Sequence, residues 1–330
     1  MKIGTPLLAV MVLALVAWTG TQVLHLNTLF GIILPYTALA VFLAGFIYRV
    51  VRWAMSPVPF SIPTTCGQQR SLPWIKQDKI ENPDDLWGVI GRMILEVTLF
   101  RSLFRNTVTE KRGEKLAFGS AKWLWFGSLL FHWSMLFVIL RHLRFFTDPI
   151  PFVVQGIESL DSFLQVGVPL LYLTDVFLVA ALTYLFLRRV VVPQVKYISL
   201  AADYFPLFLL LGIAVSGILM RYFFRVDIVE VKALAMGLVH LQPVVSADIG
   251  AIFYIHLFLI CSLFAYFPWS KLMHAGGIFM SPTRNLANNS RIIRYINPWN
   301  YKVKTHTYDE YEDEFREKMR KAGLPLEKEG

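Results

Sequence analysis

The sequence predicts an all-α integral membrane protein, a six-helix transmembrane bundle, and three observations carry that prediction. The chain of 330 residues is 55% hydrophobic and only 17% charged, whereas a soluble domain has about 25% charged residues. Its mean hydropathy is +0.52. Six apolar stretches approach the about 20 residues that a helix needs to cross a hydrocarbon core. The apolar content excludes a disordered chain. Two cysteines, Cys66 and Cys261, exclude a disulfide framework. The net charge of +9 does not call for nucleic acid, because membrane proteins concentrate Lys and Arg in cytoplasmic loops.

The spans are read at 7–24, 29–50, 123–142, 169–187, 206–224 and 252–271. Lys2 is the only charged residue before the first, no clean small-residue cleavage site follows it, and apolar sequence resumes at Leu29, so it reads as a retained signal-anchor helix. Residues 54–121 hold nine Lys and Arg, the connection after span four holds Arg188, Arg189 and Lys196, and the chain beyond Lys271 holds ten more. Residues 146–162 hold Asp148, Glu158 and Asp161 with no Lys or Arg. Basic segments face the cytoplasm, so the order in–out–in–out–in–out–in fits every connection and places both termini in the cytoplasm. The organisation follows: spans one and two in 1–53, a cytoplasmic connection in 54–121, spans three to six in 122–275, and a cytoplasmic tail in 276–330. Apolar residues recur at helical spacing over 84–104, which reads as an amphipathic helix, and the charged run 309–321 reads as a solvated helix.

Seven histidines then direct the functional reading. His132 and His142 lie ten residues apart on span three, and His256 and His274 lie eighteen apart on span six. A histidine within a span is rare enough to suggest function. The two spans run in opposite directions, so depth pairs His142 with His256 near the outer face and His132 with His274 near the inner face. At 1.5 Å per residue the spacings are about 15 and 27 Å, and eighteen residues are a whole number of turns. Imidazoles from facing helices hold haem iron in bundle cores, so these four residues are expected to be axial iron ligands of two haems. Isolated hydrogen-bonded histidines and a proton relay are the alternatives. A zinc site would need closer clustering. His25 and His240 are possible substitutes at the outer site, and His306 is expected to be solvated.

The His132–His142 and His256–His274 spacings resemble the ligand pattern of the nitrate reductase gamma-subunit family of di-haem b membrane cytochromes. The stretch from Pro63 to Trp74, containing Cys66, together with the extra N-terminal span, resembles a narrower group. That group is the DsrM-type subunits of sulfite-reductase-linked membrane complexes. The resemblance implies two haems b, menaquinone as substrate, and electron transfer to a cytoplasmic iron–sulfur subunit similar to the catalytic subunit of heterodisulfide reductase (DsrK-type), with further complex subunits. Arg141 stands where the nitrate reductase subunit has glycine, so its quinone-site details do not carry over directly.

Against that background the charged residues near the outer ends of the spans gain candidate roles. Arg144 and Arg221 are expected to meet haem propionates, since Arg pairs bidentately with carboxylates, with snorkelling to the interface as the plain alternative. Asp175 and Arg141 are candidates for a quinone site, Asp175 as proton acceptor, with a structural Asp175–Arg221 pair as the alternative. Gly212 and Gly217 would permit close helix or macrocycle approach. Cys66 alone cannot hold an iron–sulfur cluster and reads as a reduced thiol in a docking loop. Two other function classes compete: a cofactor-free membrane anchor of a redox complex, and a proton-coupled transporter.

Overall fold

A computed structural model describes residues 2–56, 67–162, 169–246, 248–294 and 302–328. Cys66, most of the Pro63–Trp74 stretch's first part and Asn297–Trp299 lie outside the described residues. The chain runs α1 (Gly4–Gln22), a π-turn at Leu29–Ile33, α2 (Leu34–Ala54), α3 (Leu86–Leu99), α4 (Arg101–Phe104), a hairpin of β1 (Thr107–Arg112) and β2 (Lys115–Ser120), α5 (Lys122–His142) and α6 (Phe152–Asp161). It continues through α7 (Leu173–Val191), α8 (Pro193–Ile198), α9 (Ala201–Ile218), a π-turn at Leu219–Phe223, α10 (Ile228–Val239), α11 (Ala251–Tyr266), α12 (His274–Gly277), α13 (Pro282–Asn285) and α14 (Tyr308–Lys321).

Among the described residues, five helices are long and apolar enough to cross a membrane: Gly4–Gln22, Leu29–Ala54, Lys122–Phe145, Ala201–Phe223 and Ala251–Trp269. The stretch expected as the fourth span forms the 19-residue α7, packed between α5 and α9, which is not one of these five: it carries Asp175 in its first turn and Arg188 and Arg189 in its last. Helix α9 is central. Its Leu209 joins Val10 of α1 and Leu259 of α11 in one buried cluster, while its Leu210 joins Leu178 and Leu182 of α7 in another. Gly212 permits the first seam, since a Cβ there would lie 3.2 Å from Val10 and 3.4 Å from Leu259. At the far end of α1, a Cβ at Gly20 would overlap the Phe30 ring at 2.3 Å. Helix α10, unexpected within the connection after span five, starts on Asp227, whose carboxylate accepts from the amides of Val229 and Glu230. It buries Leu234 against Ala17, Phe30, Ile249 and Tyr254.

Three expectations are corrected. The helix expected over 84–104 breaks at Phe100, whose left-handed φ of 49° ends α3. Tryptophans of α5 hold that end: Trp133 donates to Thr98 O at 2.9 Å and Trp125 to Leu99 O at 2.7 Å. The fold is also not purely helical, because residues 107–120 form a hairpin. Gly113 alone of its two loop residues has positive φ (64°), the pattern of a type II′ turn. Finally, span six is not helical to residue 271. Pro268 removes a backbone donor, Ser270 is extended (φ −112°, ψ 177°), and 3₁₀ turns at Phe267–Trp269 and Lys271–Met273 carry the chain to His274.

The segment before α5 and the segment after α12 form one polar layer. Arg92, 2% exposed, donates to Glu81 O at 2.9 Å, Leu286 O at 3.1 Å and Arg284 O at 2.5 Å. Burial lowers its pKa from the ordinary guanidinium value. Beside it, Asn288 donates through Nδ2 to Asn82 Oδ1 at 2.8 Å and through its amide to Pro83 O at 2.7 Å. Replacing Arg92 leaves buried carbonyls unpaired, at a cost of about 2 kcal/mol. Arg92→Ala should therefore raise amide hydrogen exchange in 80–96 and 284–288 by roughly thirtyfold while leaving the spans unchanged.

Candidate functional site: two imidazole pairs and a buried ionic cluster

Helix α5 carries His132 and His142, α11 carries His256, and His274 opens α12, yet α5 packs mainly on α7 and α11 on α1, α2 and α9. Between them the rings meet in two pairs. His132 and His274 have centroids 5.9 Å apart at an interplanar angle of 82°. His142 and His256 are 6.4 Å apart and nearly parallel, at 16°. The 3₁₀ turns after Pro268, rather than a whole number of α-helical turns, bring His274 to His132.

In each ring Nδ1 is already engaged. His132 meets Ser128 O at 2.7 Å, His142 meets Val138 O at 2.6 Å, His274 meets Lys271 O at 2.8 Å, and His256 meets Ser216 Oγ at 2.9 Å. An Nδ1–H donated to an oxygen fixes the tautomer that leaves Nε2 as the ligating nitrogen. The spacing can be tested against a bis-histidine iron. A metal–imidazole bond is about 2 Å and each ring centroid lies roughly 1 Å behind its nitrogen, so axial rings in line have centroids about 6 Å apart. Both pairs fit that requirement. At that distance the facing nitrogens would be about 4 Å apart, beyond a direct hydrogen bond between the two rings.

Aromatic rings pack against the His132 pair. Phe100, delivered by the break after α3, lies 4.9 Å from the His132 ring, and Phe131 lies 4.8 Å from it.

The His142 end is polar. Arg141, only 6% exposed, pairs with Asp161 of α6 at 3.0 Å and with Asp175 of α7 at 2.6 Å. Asp161 also accepts from the Thr174 amide at 2.8 Å and from its hydroxyl at 2.6 Å. The Tyr172 ring lies against two guanidiniums, with Arg141 Cζ 3.7 Å and Arg221 Cζ 4.1 Å from its centroid. The π-turn at Leu219–Phe223 carries Arg221 and Tyr222 into this cluster. Arg221 donates to Leu170 O at 3.1 Å, and the Tyr222 hydroxyl lies 3.4 Å from Asp175 Oδ2.

The expected site residues thus fall as follows. Asp175 takes Arg141 rather than Arg221 as its ion-pair partner. It sits in the first turn of α7, which begins at Leu173 rather than at the expected residue 169. Arg144 pairs with Glu158 at 2.9 Å. Gly217 faces the His256 ring, where a Cβ would lie 3.3 Å from Cε1. Exposed His25 stands in a turn with φ 49°, and exposed His240 meets Met236 O at the end of α10. Among the described residues neither makes a ring contact with the four paired histidines. His306 is half exposed in the tail, 3.7 Å from Glu310. Sequence reading missed Asp161, Tyr172, Ser216 and Tyr222. The available signal was a serine or arginine inside an apolar helix, which demands a polar partner.

The sequence profile described as "Nitrate reductase gamma subunit" matches residues 86–295. The chain is 45% identical over 281 residues to the "Hdr-like menaquinol oxidoreductase cytochrome b-like subunit" of Archaeoglobus fulgidus, covering 83% of this chain and 84% of that protein. It is 42% identical over 275 residues to the protein of the same name from Archaeoglobus profundus, covering 81% of each.

Removing Arg141 would leave Asp161 buried and uncompensated, which costs about 3–5 kcal/mol. Arg141→Met should lower the thermal midpoint in detergent sharply, and Arg141→Met combined with Asp161→Leu should recover part of the loss, as read by a double-mutant cycle.

Proposed function

The chain belongs to the nitrate reductase gamma subunit family, and on that premise we propose that it is the di-haem cytochrome b subunit of a menaquinol oxidoreductase complex in dissimilatory sulfur metabolism, of the sulfite-reductase-linked type. It passes electrons between menaquinone and a cytoplasmic iron–sulfur partner similar to the catalytic subunit of heterodisulfide reductase. The observation that carries this reading is the two imidazole pairs, 5.9 and 6.4 Å between centroids, each ring with its Nδ1 engaged. The relatives' shared name supports the menaquinol and heterodisulfide-reductase-like associations.

Two haems b would be held by His142 with His256 and by His132 with His274, and would supply one-electron transfer between the two faces. The chain's own residues do the rest. The carbonyls and Ser216 hold each imidazole in the ligating tautomer. Phe100 and Phe131 pack against the His132 ring and fix its place. Arg141 pairs with Asp175 at 2.6 Å, and Asp175 Oδ2, approached by the Tyr222 hydroxyl, is the candidate acceptor of a proton from quinol. Arg221, stacked on Tyr172, and Arg144 supply positive charge for haem propionates, so that Glu158 would release or share Arg144. With α7 counted as a sixth span, the Lys and Arg asymmetry supports a cytoplasmic side for both termini, the 54–121 connection and the 276–330 tail, where the partner docks by the His132–His274 site.

Pyridine haemochrome analysis of the purified subunit should give two haems b per chain, falling to one in His256→Ala and one in His274→Ala. Quinol should still reduce the haem left in His274→Ala but not the one left in His256→Ala. A folded wild-type protein without haem would overturn the reading in favour of a cofactor-free anchor. Normal quinol reduction in the His256 variant, with loss in the His274 variant, would move the quinone site to the other face. Orientation is checked separately: cysteine labelling of intact cells should reach a site at Gln155 and miss sites at Asn82 and Tyr308.

A further inference from the structure

We propose that Ser216 is a positioning residue for the His256 imidazole and sets the reduction potential of the haem at that end. The inference rests on the di-haem reading above.

Three of the four histidines are oriented by their own stretch of chain. His132 and His142 meet the carbonyl four residues back, and His274 meets the one three residues back. His256 is different. Its Nδ1 meets a side chain on another helix, the Ser216 hydroxyl of α9, at 2.9 Å and forty residues away in sequence. The proton arrangement follows from the next bond. Ser216 Oγ donates to Ile213 O at 3.0 Å, so its single hydrogen is engaged and its lone pair accepts Nδ1–H from His256. That leaves His256 Nε2 unprotonated, the form that binds iron. Serine and histidine are 5% and 8% exposed, so no solvent water substitutes freely for the hydroxyl. Gly217 completes the seat, since a Cβ there would lie 3.3 Å from His256 Cε1 and 3.8 Å from Nδ1. The ring is therefore laid against the backbone of α9 while its own helix is α11.

An oxygen accepting from Nδ1–H makes an imidazole a more basic ligand. A more basic ligand favours the oxidised iron and lowers its potential. Loss of the hydroxyl should raise the potential at this site alone, because the His132–His274 pair uses backbone acceptors that no side-chain substitution removes.

The test is a potentiometric titration of the haem-loaded protein in membranes, with the two haems assigned from the His256→Ala and His274→Ala variants. Ser216→Ala should retain two haems, shift the potential of the His142–His256 haem upward, and leave the other unmoved. Ser216→Thr, which keeps the hydroxyl, should match the wild type. Selective loss of the His142–His256 haem in Ser216→Ala but not in Ser216→Thr would also support the assignment. An unmoved potential with both haems bound, or equal shifts in the Ala and Thr variants, would overturn it. If Ser216→Ala does not accumulate, Ser216→Cys, a weak acceptor, is read by the same criterion. Absence of haem from the wild type would instead overturn the di-haem reading, so the two failures are distinct.

Discussion

An imidazole N–H inside a membrane bundle must find its acceptor within the protein, because lipid offers none and an unsatisfied group costs several kcal/mol. That constraint organises much of this chain. Where a preceding carbonyl lies within reach, as for His132 and His142, the helix itself meets the demand. At His274 the 3₁₀ turn supplies Lys271 O. At His256 the demand fixes the neighbour, so that α9 must present Ser216 and then a residue without a side chain, Gly217, at the same level as the ring. The seam between α9 and α11 is thus set by a hydrogen bond as well as by Leu209 and Leu259.

The two ends of the bundle handle charge differently. At the His132 end Phe100 and Phe131 pack against one ring of the pair, and the charges sit in a separate layer. At the His142 end Arg141, Asp161 and Asp175 are interlocked next to His142. Buried ion pairs contribute little net stability against an apolar replacement, so such a cluster is better explained by what it does than by what it stabilises. It sets the Asp175 carboxyl beside the Tyr222 hydroxyl.

Much of this was legible in sequence for a physical reason: histidine at a fixed spacing in apolar helix has few cheap explanations, so four such residues point to their pairs before any coordinates. The rest was hidden by distance or by local chemistry. Ser216 looks like an ordinary small residue in a span until its partner on α11 is known. Asp161 lies in an acidic connection and reads as an orientation signal, while its partner Arg141 is twenty residues earlier. The break at Phe100 has no glycine to announce it, since a phenylalanine adopts left-handed φ there only because Trp125 and Trp133 hold the helix end. The hairpin at 107–120 carries alternating residues about Gly113, a signal eclipsed by its high charge.

The polar layer has a consequence for biogenesis. Arg92 enters it before α5, but two of its carbonyl partners, Arg284 and Leu286, come 192 and 194 residues later, beyond the last span. Asn82 likewise waits for Asn288. Until the final helix has been synthesised and inserted, those donors and acceptors can be met only by water, and the layer stays open. Its closure therefore reports that every span is in place. Folding of the early connection is thus conditional on the arrival of the late one.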